Sequence, residues 1–338
     1  MAALSYDPRH HLQAGKTSHG VIVEEIEGLI KVYKGGRVER PPIVPNVSCV
    51  LAPEDGVTAR DVFIDKFTNL WARVYVPSHP GSRLPLLVYF HGGGFCAGSP
   101  AWSCYQNFLV NLASKSGCII LSVNYRLAPE NRLPSAYDDG TNTLMWIKQQ
   151  ALLGPSEHKW WLSKCNFSSL FLAGDSAGAN IAYNVASNVN SDSSLRPFYL
   201  RGIILIQPFF GGEARTYSER NLNQPANSAL TLSASDAYWR LSLPIGANRD
   251  NPYCNPLANG AKKLRDFQVP SIMVCISEMD IMKDRNLEFC SALSSAGKKV
   301  EKVIYKGVGH AFQILHNSHF SQIRIQEMMS HLKGFINQ

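Results

Sequence analysis

Short β-rich apolar runs alternate with longer stretches of helical pattern from about residue 60 onward, and this rhythm restricts the chain to a mostly parallel sheet covered by helices. Strands are expected at 71–76, 86–90, 119–124, 170–173, 203–206, 272–276 and 300–305. Helices are expected at 101–116, 135–149, 179–190, 233–241, 284–296 and 320–336. Several strand runs, such as Leu86-Leu87-Val88-Tyr89-Phe90 and Ile272-Met273-Val274-Cys275-Ile276, are almost purely apolar. A strand can be apolar on both faces only where both are buried. The class is therefore α/β, and the 338 residues, 45% hydrophobic and 17% charged, supply a core large enough for it.

Two segments break the rhythm. Residues 1–45 and 211–261 are polar and carry prolines and glycines. Within a single domain spanning 1–338 they are expected to form an N-terminal cap and a lid insertion over the functional site.

The net charge of +7 comes from 33 basic against 26 acidic residues, scattered along the chain except for short clusters such as Lys262-Lys263-Leu264-Arg265. Nucleic-acid binding needs a dense basic stripe or a known module, and neither is present. The eight cysteines are dispersed, with no C-x-x-C pair, and several sit in apolar runs as small hydrophobes do. No run of 18 apolar residues would span a membrane, and the first residues carry neither a secretory signal nor a myristoylation glycine. A cytoplasmic protein is expected. No heptad or interface signature selects between a monomer and a homodimer.

The sharpest motif is Gly174-Asp175-Ser176-Ala177-Gly178, which follows the apolar run Leu170-Phe171-Leu172-Ala173 and opens the helical run Ala179-Asn180-Ile181-Ala182. A serine used as a nucleophile must project from a strained strand-to-helix turn, and the flanking glycines let strand and helix approach without Cβ clashes. The same turn aims the amide of Ala177, at a helix N-terminus, toward developing negative charge. A second glycine run, His91-Gly92-Gly93-Gly94, follows the strand at 86–90. Its backbone can turn amides inward unobstructed, so Gly93 and Gly94 join Ala177 as expected oxyanion donors. A phosphate cradle is the competing reading, but no Gly-Lys-Ser/Thr and no G-x-G-x-x-G accompanies the run. His91 has no second metal ligand nearby and is expected to brace the loop by hydrogen bonding, with Gly92 and Asp175 supporting the two motifs.

Of the ten histidines, His310 alone sits in a tight glycine-bounded turn after a late β-rich run. It is the expected general base. An acid lying between serine and histidine in chain order is then required, and Asp280, just beyond the strand at 272–276, is favoured over Glu278 and Asp284. Asp284 is expected to cap the following helix instead. Neither a metal nor an organic cofactor is needed for acyl transfer through such a set.

Together, His91-Gly92-Gly93-Gly94-Phe95, Tyr125-Arg126-Leu127-Ala128-Pro129-Glu130, Gly174-Asp175-Ser176-Ala177-Gly178, Asp280 followed by Asp284-Arg285, and His310-Ala311-Phe312 resemble the plant carboxylesterases, in the hormone-sensitive-lipase-like branch of the α/β hydrolases. The resemblance runs from about Glu24 to the end. It implies an eight-stranded, mostly parallel α/β-hydrolase fold with an N-terminal cap, and hydrolysis of a small-molecule carboxylic ester by Ser176, His310 and Asp280. It also implies that the stretch from Tyr125 braces the sheet edge, with Arg126 and Glu130 as an ion pair. Two other readings accompany it: an enzyme recruited to elimination, cyclisation or acyl transfer, and a hormone receptor like the gibberellin receptor, which is similar to this family but lacks the catalytic histidine. Here His310 and Ser176 are both present. Phe95, Trp102, Phe209, Trp239 and Phe312, with Phe210 and Tyr238, are expected to line an apolar or aromatic pocket.

Overall fold

The structure is a computed structural model that describes residues 20–49, 56–78, 83–153, 156–189, 195–224, 228–315 and 318–338. By internal contacts the chain divides into two compact units, one ending at Pro41 and one running from Pro42 to Gln338. Residues 1–19 of the expected N-terminal cap lie outside the described residues.

The described part of the first unit is an antiparallel meander of β1 (Ile22–Ile26), β2 (Ile30–Tyr33) and β3 (Val38–Glu39). Its apolar side is buried at Ile26, Ile30 and Tyr33, and the Tyr33 hydroxyl donates to Glu39 at 2.7 Å.

In the second unit the strands are β4 (Val57–Asp65), β5 (Leu70–Pro77), β6 (Leu84–Phe90), β7 (Ile119–Asn124), β8 (Cys165–Asp175), β9 (Leu200–Ile206), β10 (Ser271–Ser277) and β11 (Val300–Tyr305). The α-helices are α1 (Ser103–Ser116), α2 (Ser135–Leu153), α3 (Lys159–Leu162), α4 (Ala177–Asn188), α5 (Tyr217–Asn221), α6 (Leu232–Ser242), α7 (Lys283–Ser295), α8 (Phe312–Leu315) and α9 (His319–Ile336). The strands form one eight-stranded sheet in the order β11-β10-β9-β8-β6-β7-β5-β4. Pairings from β6 and β7 through to β11 are parallel, while β4 and β5 at the other edge run antiparallel. The mostly parallel eight-stranded α/β fold expected from the sequence is present.

Alternation along the strands divides the core between two faces. Leu87, Tyr89, Phe171, Ala173, Ile204, Ile206, Met273 and Cys275 share one cluster with Phe108, Leu109 and Leu112 of α1 and Met328, Met329, Leu332 and Phe335 of α9. Helices α4 and α7 pack against strands of the same sheet, and α2 packs on α4.

Every expected strand run lies within an observed strand. The sequence reading missed β4, because this edge strand alternates poorly and buries little beyond Val57 and Val62. The β8 strand begins earlier than its apolar run, at Cys165, through the half-exposed Asn166-Phe167-Ser168-Ser169. The loop beyond β7 also differs in detail. Arg126, expected to pair with Glu130, grips Asp139 on α2 through Nε and Nη2, with contacts as short as 2.7 Å. Asp139 is fully buried and its other bond accepts the Arg126 amide, so this fork satisfies a carboxylate that would otherwise be stranded.

β8 lies between β6 and β9 at the middle of the sheet, and its carboxyl end is where chain connections diverge to opposite sides. Crevices outside such switch points are where open α/β sheets hold ligands.

Candidate active site

Ser176 occupies the turn between β8 and α4 with φ of 52°, a left-handed conformation that costs a non-glycine residue strain. Its amide donates to Ile206 at 2.8 Å and its carbonyl accepts from Phe209 at 3.0 Å, which fixes the turn from the neighbouring strand. The flanking glycines are demanded by proximity. A Cβ on Gly178 would fall 1.9 Å from the Phe90 carbonyl oxygen, and one on Gly174 would lie 2.3 Å from the backbone of Gly178. The same closeness seats the start of α4 beside the end of β6, where the glycine loop begins.

His310 stands in the loop after β11. Its Nε2 lies 2.8 Å from the Ser176 hydroxyl, and its Nδ1 lies 2.6 Å from Asp280 Oδ2. A carboxylate can only accept, so Nδ1 carries the proton and Nε2 is free to accept from the serine. All three side chains are buried, with Ser176 retaining 7% exposure. The other oxygen of Asp280 accepts from the amide of Met282 at 3.0 Å. Glu278, the rival acid, instead accepts from the amide of Gly307 at 2.9 Å, tying the loop of His310 to the end of β10. Asp284 does not cap α7, whose N-cap is Met282; it accepts from the amide of Ser218 in the first turn of α5.

Gly93 and Gly94 have φ of 113° and 59°, conformations open to glycine. The amides of Cys96 and Ala97 both donate to the carbonyl of Gly93, at 3.0 and 2.9 Å, and so hold that carbonyl within its own turn. Among the described residues, the amides of Gly93, Gly94 and Ala177 meet no protein acceptor. His91 braces this loop through Nδ1, 2.8 Å from the Gly92 carbonyl, and its ring stacks on Tyr125 at 4.3 Å. The Tyr125 hydroxyl donates to the His91 carbonyl at 2.8 Å. Burial pulls the His91 imidazole down to about 4, which keeps it neutral at neutral pH.

Asp175 is buried beside the loop. Its carboxylate accepts from Tyr89, Tyr105 and the Gly92 amide, and burial pushes it up to about 6.

The aromatic residues separate into three groups. Phe95, Phe209 and Trp239 converge, with Phe209 and Trp239 stacked at 4.5 Å, but their side chains are almost wholly covered. They form a packed floor, over which the Tyr238 ring lies so close to Gly94 that a Cβ there would sit 2.2 Å from it. Phe312 lines a cavity of about 290 Å³ beside His310, with Met279, Val308, Phe320, Ser228 and Ala229. Trp102 is half-buried at the start of α1 near Tyr105, and Phe210 turns away to pack on Tyr183 and Phe289.

Sequence reasoning missed Gln207. With φ of 48° at the end of β9, it accepts from the amide of Ala311 at 2.7 Å and donates to Ser277 at 2.7 Å. Its one sequence signal is a polar residue directly after an apolar strand.

The segment 211–261 is tied to α7 by Arg285, which is bonded to Glu219 at 2.9 Å and to the carbonyls of Gly212 and Ala214. Among the described residues no group of His, Cys, Asp and Glu is arranged to hold a metal ion.

A family profile described as alpha/beta hydrolase fold matches residues 87–314. Probable carboxylesterase 6 of Arabidopsis thaliana is 47% identical over 323 residues, covering 94% of this chain and 93% of that protein. The chain belongs to the plant carboxylesterase family. This carboxylesterase-family chain is also 34% identical over 301 residues to gibberellin receptor GID1C of Arabidopsis thaliana, covering 84% of this chain and 82% of the receptor. Among solved structures, a hyperthermophilic esterase from the archaeon Pyrobaculum calidifontis superimposes with a TM-score of 0.68 at 26% identity, covering 82% of this chain and 83% of that one.

Proposed function

We propose that the chain is a serine carboxylesterase acting on small-molecule esters, with Ser176 as nucleophile, His310 as general base and Asp280 as the orienting acid. The observation that carries this reading is the continuous pair of contacts from Ser176 to His310 at 2.8 Å and from His310 to Asp280 at 2.6 Å. Relatives named as a carboxylesterase and an esterase support it.

In the first half-reaction His310 takes the Ser176 proton as the serine oxygen bonds to the acyl carbon. The amides of Gly93, Gly94 and Ala177 receive the negative charge that moves onto the carbonyl oxygen. The tetrahedral adduct collapses, the bond to the leaving oxygen breaks, and His310 hands its proton to the departing alcohol. Water, deprotonated by His310, then attacks the acyl-enzyme; the acid leaves and Ser176 regains its proton. Asp280 holds the imidazole tautomer throughout and stabilises the imidazolium. No cofactor enters these steps.

The cavity beside His310, apolar at Met279, Val308, Phe312 and Phe320, supports a substrate with an apolar or aromatic portion. Residues 211–261 act as the lid. The eight free cysteines support a reducing compartment such as the cytoplasm, and among the described residues no helix is long and apolar enough to cross a membrane. The receptor reading would leave the Ser176–His310 contact without use.

Hydrolysis of p-nitrophenyl acetate and butyrate by the purified chain, beside Ser176→Ala and His310→Ala variants, tests the proposal. Turnover in the unaltered chain that both variants lose is expected. An unaltered chain that is folded by circular dichroism and turns over neither ester would overturn it and favour ligand binding.

A further inference from the structure

The esterase mechanism makes no use of Asp175, although this carboxylate is the residue next to the nucleophile and is buried at 1% exposure. Its Oδ1 accepts from the Tyr89 hydroxyl at 2.7 Å and the Gly92 amide at 3.1 Å, and its Oδ2 accepts from the Tyr105 hydroxyl at 3.0 Å. The Gly92 amide is shared, donating also to the Tyr105 hydroxyl at 2.7 Å. Backbone and carboxylate are in direct contact, since a Cβ on Gly92 would fall 2.6 Å from Oδ2. Gly92 is the first glycine of the loop, and the next two amides are the oxyanion donors. Tyr89 belongs to β6 and Tyr105 to α1, so the carboxylate joins three elements at the point where the loop leaves the sheet.

A buried carboxylate is a costly way to join elements that apolar side chains could join. What it offers is two acceptor oxygens with no donor, matched here to two hydroxyls and an amide. We infer that Asp175, braced by Tyr89 and Tyr105, is a positioning residue that fixes the oxyanion loop through the Gly92 amide, and does so only while ionised. This rests on the ester-hydrolysis reading. A proton on either oxygen converts an acceptor into a donor among donors, so one hydrogen bond must break or rotate away. The Gly92 amide is held by Oδ1 at 3.1 Å and, more closely, by the Tyr105 hydroxyl at 2.7 Å, so displacing either the amide or that hydroxyl moves the two amides that follow it.

The titratable groups around Asp175 are Tyr89 on β6, Tyr105 and Cys104 on α1, Tyr125 after β7, His91 in the loop and His310 across the site. Burial pushes the three tyrosines far up, pushes Cys104 up to about 12 and pulls His91 down to about 4, so these stay neutral through neutral pH. The Asp175 carboxyl, held at about 6, changes charge within a working range.

The test compares the unaltered chain with Asp175→Asn and Tyr105→Phe. It measures kcat, KM and the pH profile on p-nitrophenyl butyrate, with rates expressed per serine titrated by a fluorophosphonate. Asparagine keeps the shape but sets a donor where an acceptor stood. The expected result is a kcat lower by about 100-fold in Asp175→Asn with KM changed by less than about threefold, as for loss of an interaction made in the transition state. His310 as general base gives both chains an acidic limb; that limb should be steeper in the unaltered chain, where Asp175 must also be ionised, than in Asp175→Asn. A kcat per titrated site within about twofold of the unaltered chain, or a loss that leaves the shape of the pH profile unchanged, overturns the inference. Should Asp175→Asn fail to fold, Tyr105→Phe decides: kcat down by roughly tenfold supports it and unchanged kcat overturns it. An unaltered chain with no ester turnover would remove the esterase reading along with it, whereas equal turnover in the unaltered chain and Asp175→Asn removes the anchor alone.

Discussion

The side-chain oxygen of Gln207 accepts the amide of Ala311 at 2.7 Å, joining the end of β9 to the residue that follows His310. The bond crosses 104 positions of sequence and is buried. It gives the histidine loop a fixed point on the sheet, close to the strand end that leads into Phe209 and the carbonyl of Ser176.

Gln207→Leu keeps volume and removes the acceptor, leaving the Ala311 amide buried and unpaired. The expected cost is about 1–3 kcal/mol of stability, read by urea unfolding, together with a fall of kcat by roughly tenfold. A variant with normal stability and kcat would show that Gln207 does not hold the loop.

Asp280→Asn should lower kcat on the order of 10⁴-fold with the fold intact, because the imidazole loses the partner that fixes its tautomer. Glu278→Gln alters a residue bonded to the Gly307 amide and should cost at least about 100-fold less. Steady-state kinetics on one ester compares them, and a reversed order would reassign the acid.

Arg285→Met leaves Glu219 buried without its closest cation. Glu219 retains the Thr216 amide and a looser contact with Arg215 at 3.7 Å, so the expected loss is about 3 kcal/mol by urea unfolding. The double variant Arg285→Met with Glu219→Leu should recover part of it, since removing both charges avoids the stranded carboxylate.

Stability should depend on pH through Asp175. Burial raises its folded value from 3.8 to about 6, so between those limits the folded chain binds more protons than the unfolded one. Stability from this group therefore falls as pH rises through that window, by about 3 kcal/mol in all. The unfolding free energy of the unaltered chain, minus that of Asp175→Asn, should shrink by roughly this amount from pH 4 to pH 7. A difference that is constant with pH would refute the raised value.

The fold was legible wherever burial is two-sided, because a strand such as Ile119–Asn124 must be apolar throughout and announces its own ends. It was illegible at β4, where one strand partner and an exposed edge impose no such pattern. That Ser176, His310 and Asp280 stand together was legible in the Gly174–Gly178 motif and its flanks, in chain order and in position at strand ends. Gln207, Tyr89 and Tyr105 were not legible, since each acts through a partner far away in sequence and presents no local spacing. Arg126 shows the same limit: the family resemblance implies Glu130 as its partner, while the fold brings it Asp139 of α2.

The contact between Ser176 and His310 spans 134 positions. A ribosome adding 5–20 residues each second needs on the order of 10 s to cover that distance. On the proposed mechanism the growing polypeptide carries, throughout that interval, a serine with no base to activate it. Hydrolytic power on that mechanism is thereby withheld until His310 has been added, and no shortened translation product ending before that residue could attack the metabolites around it.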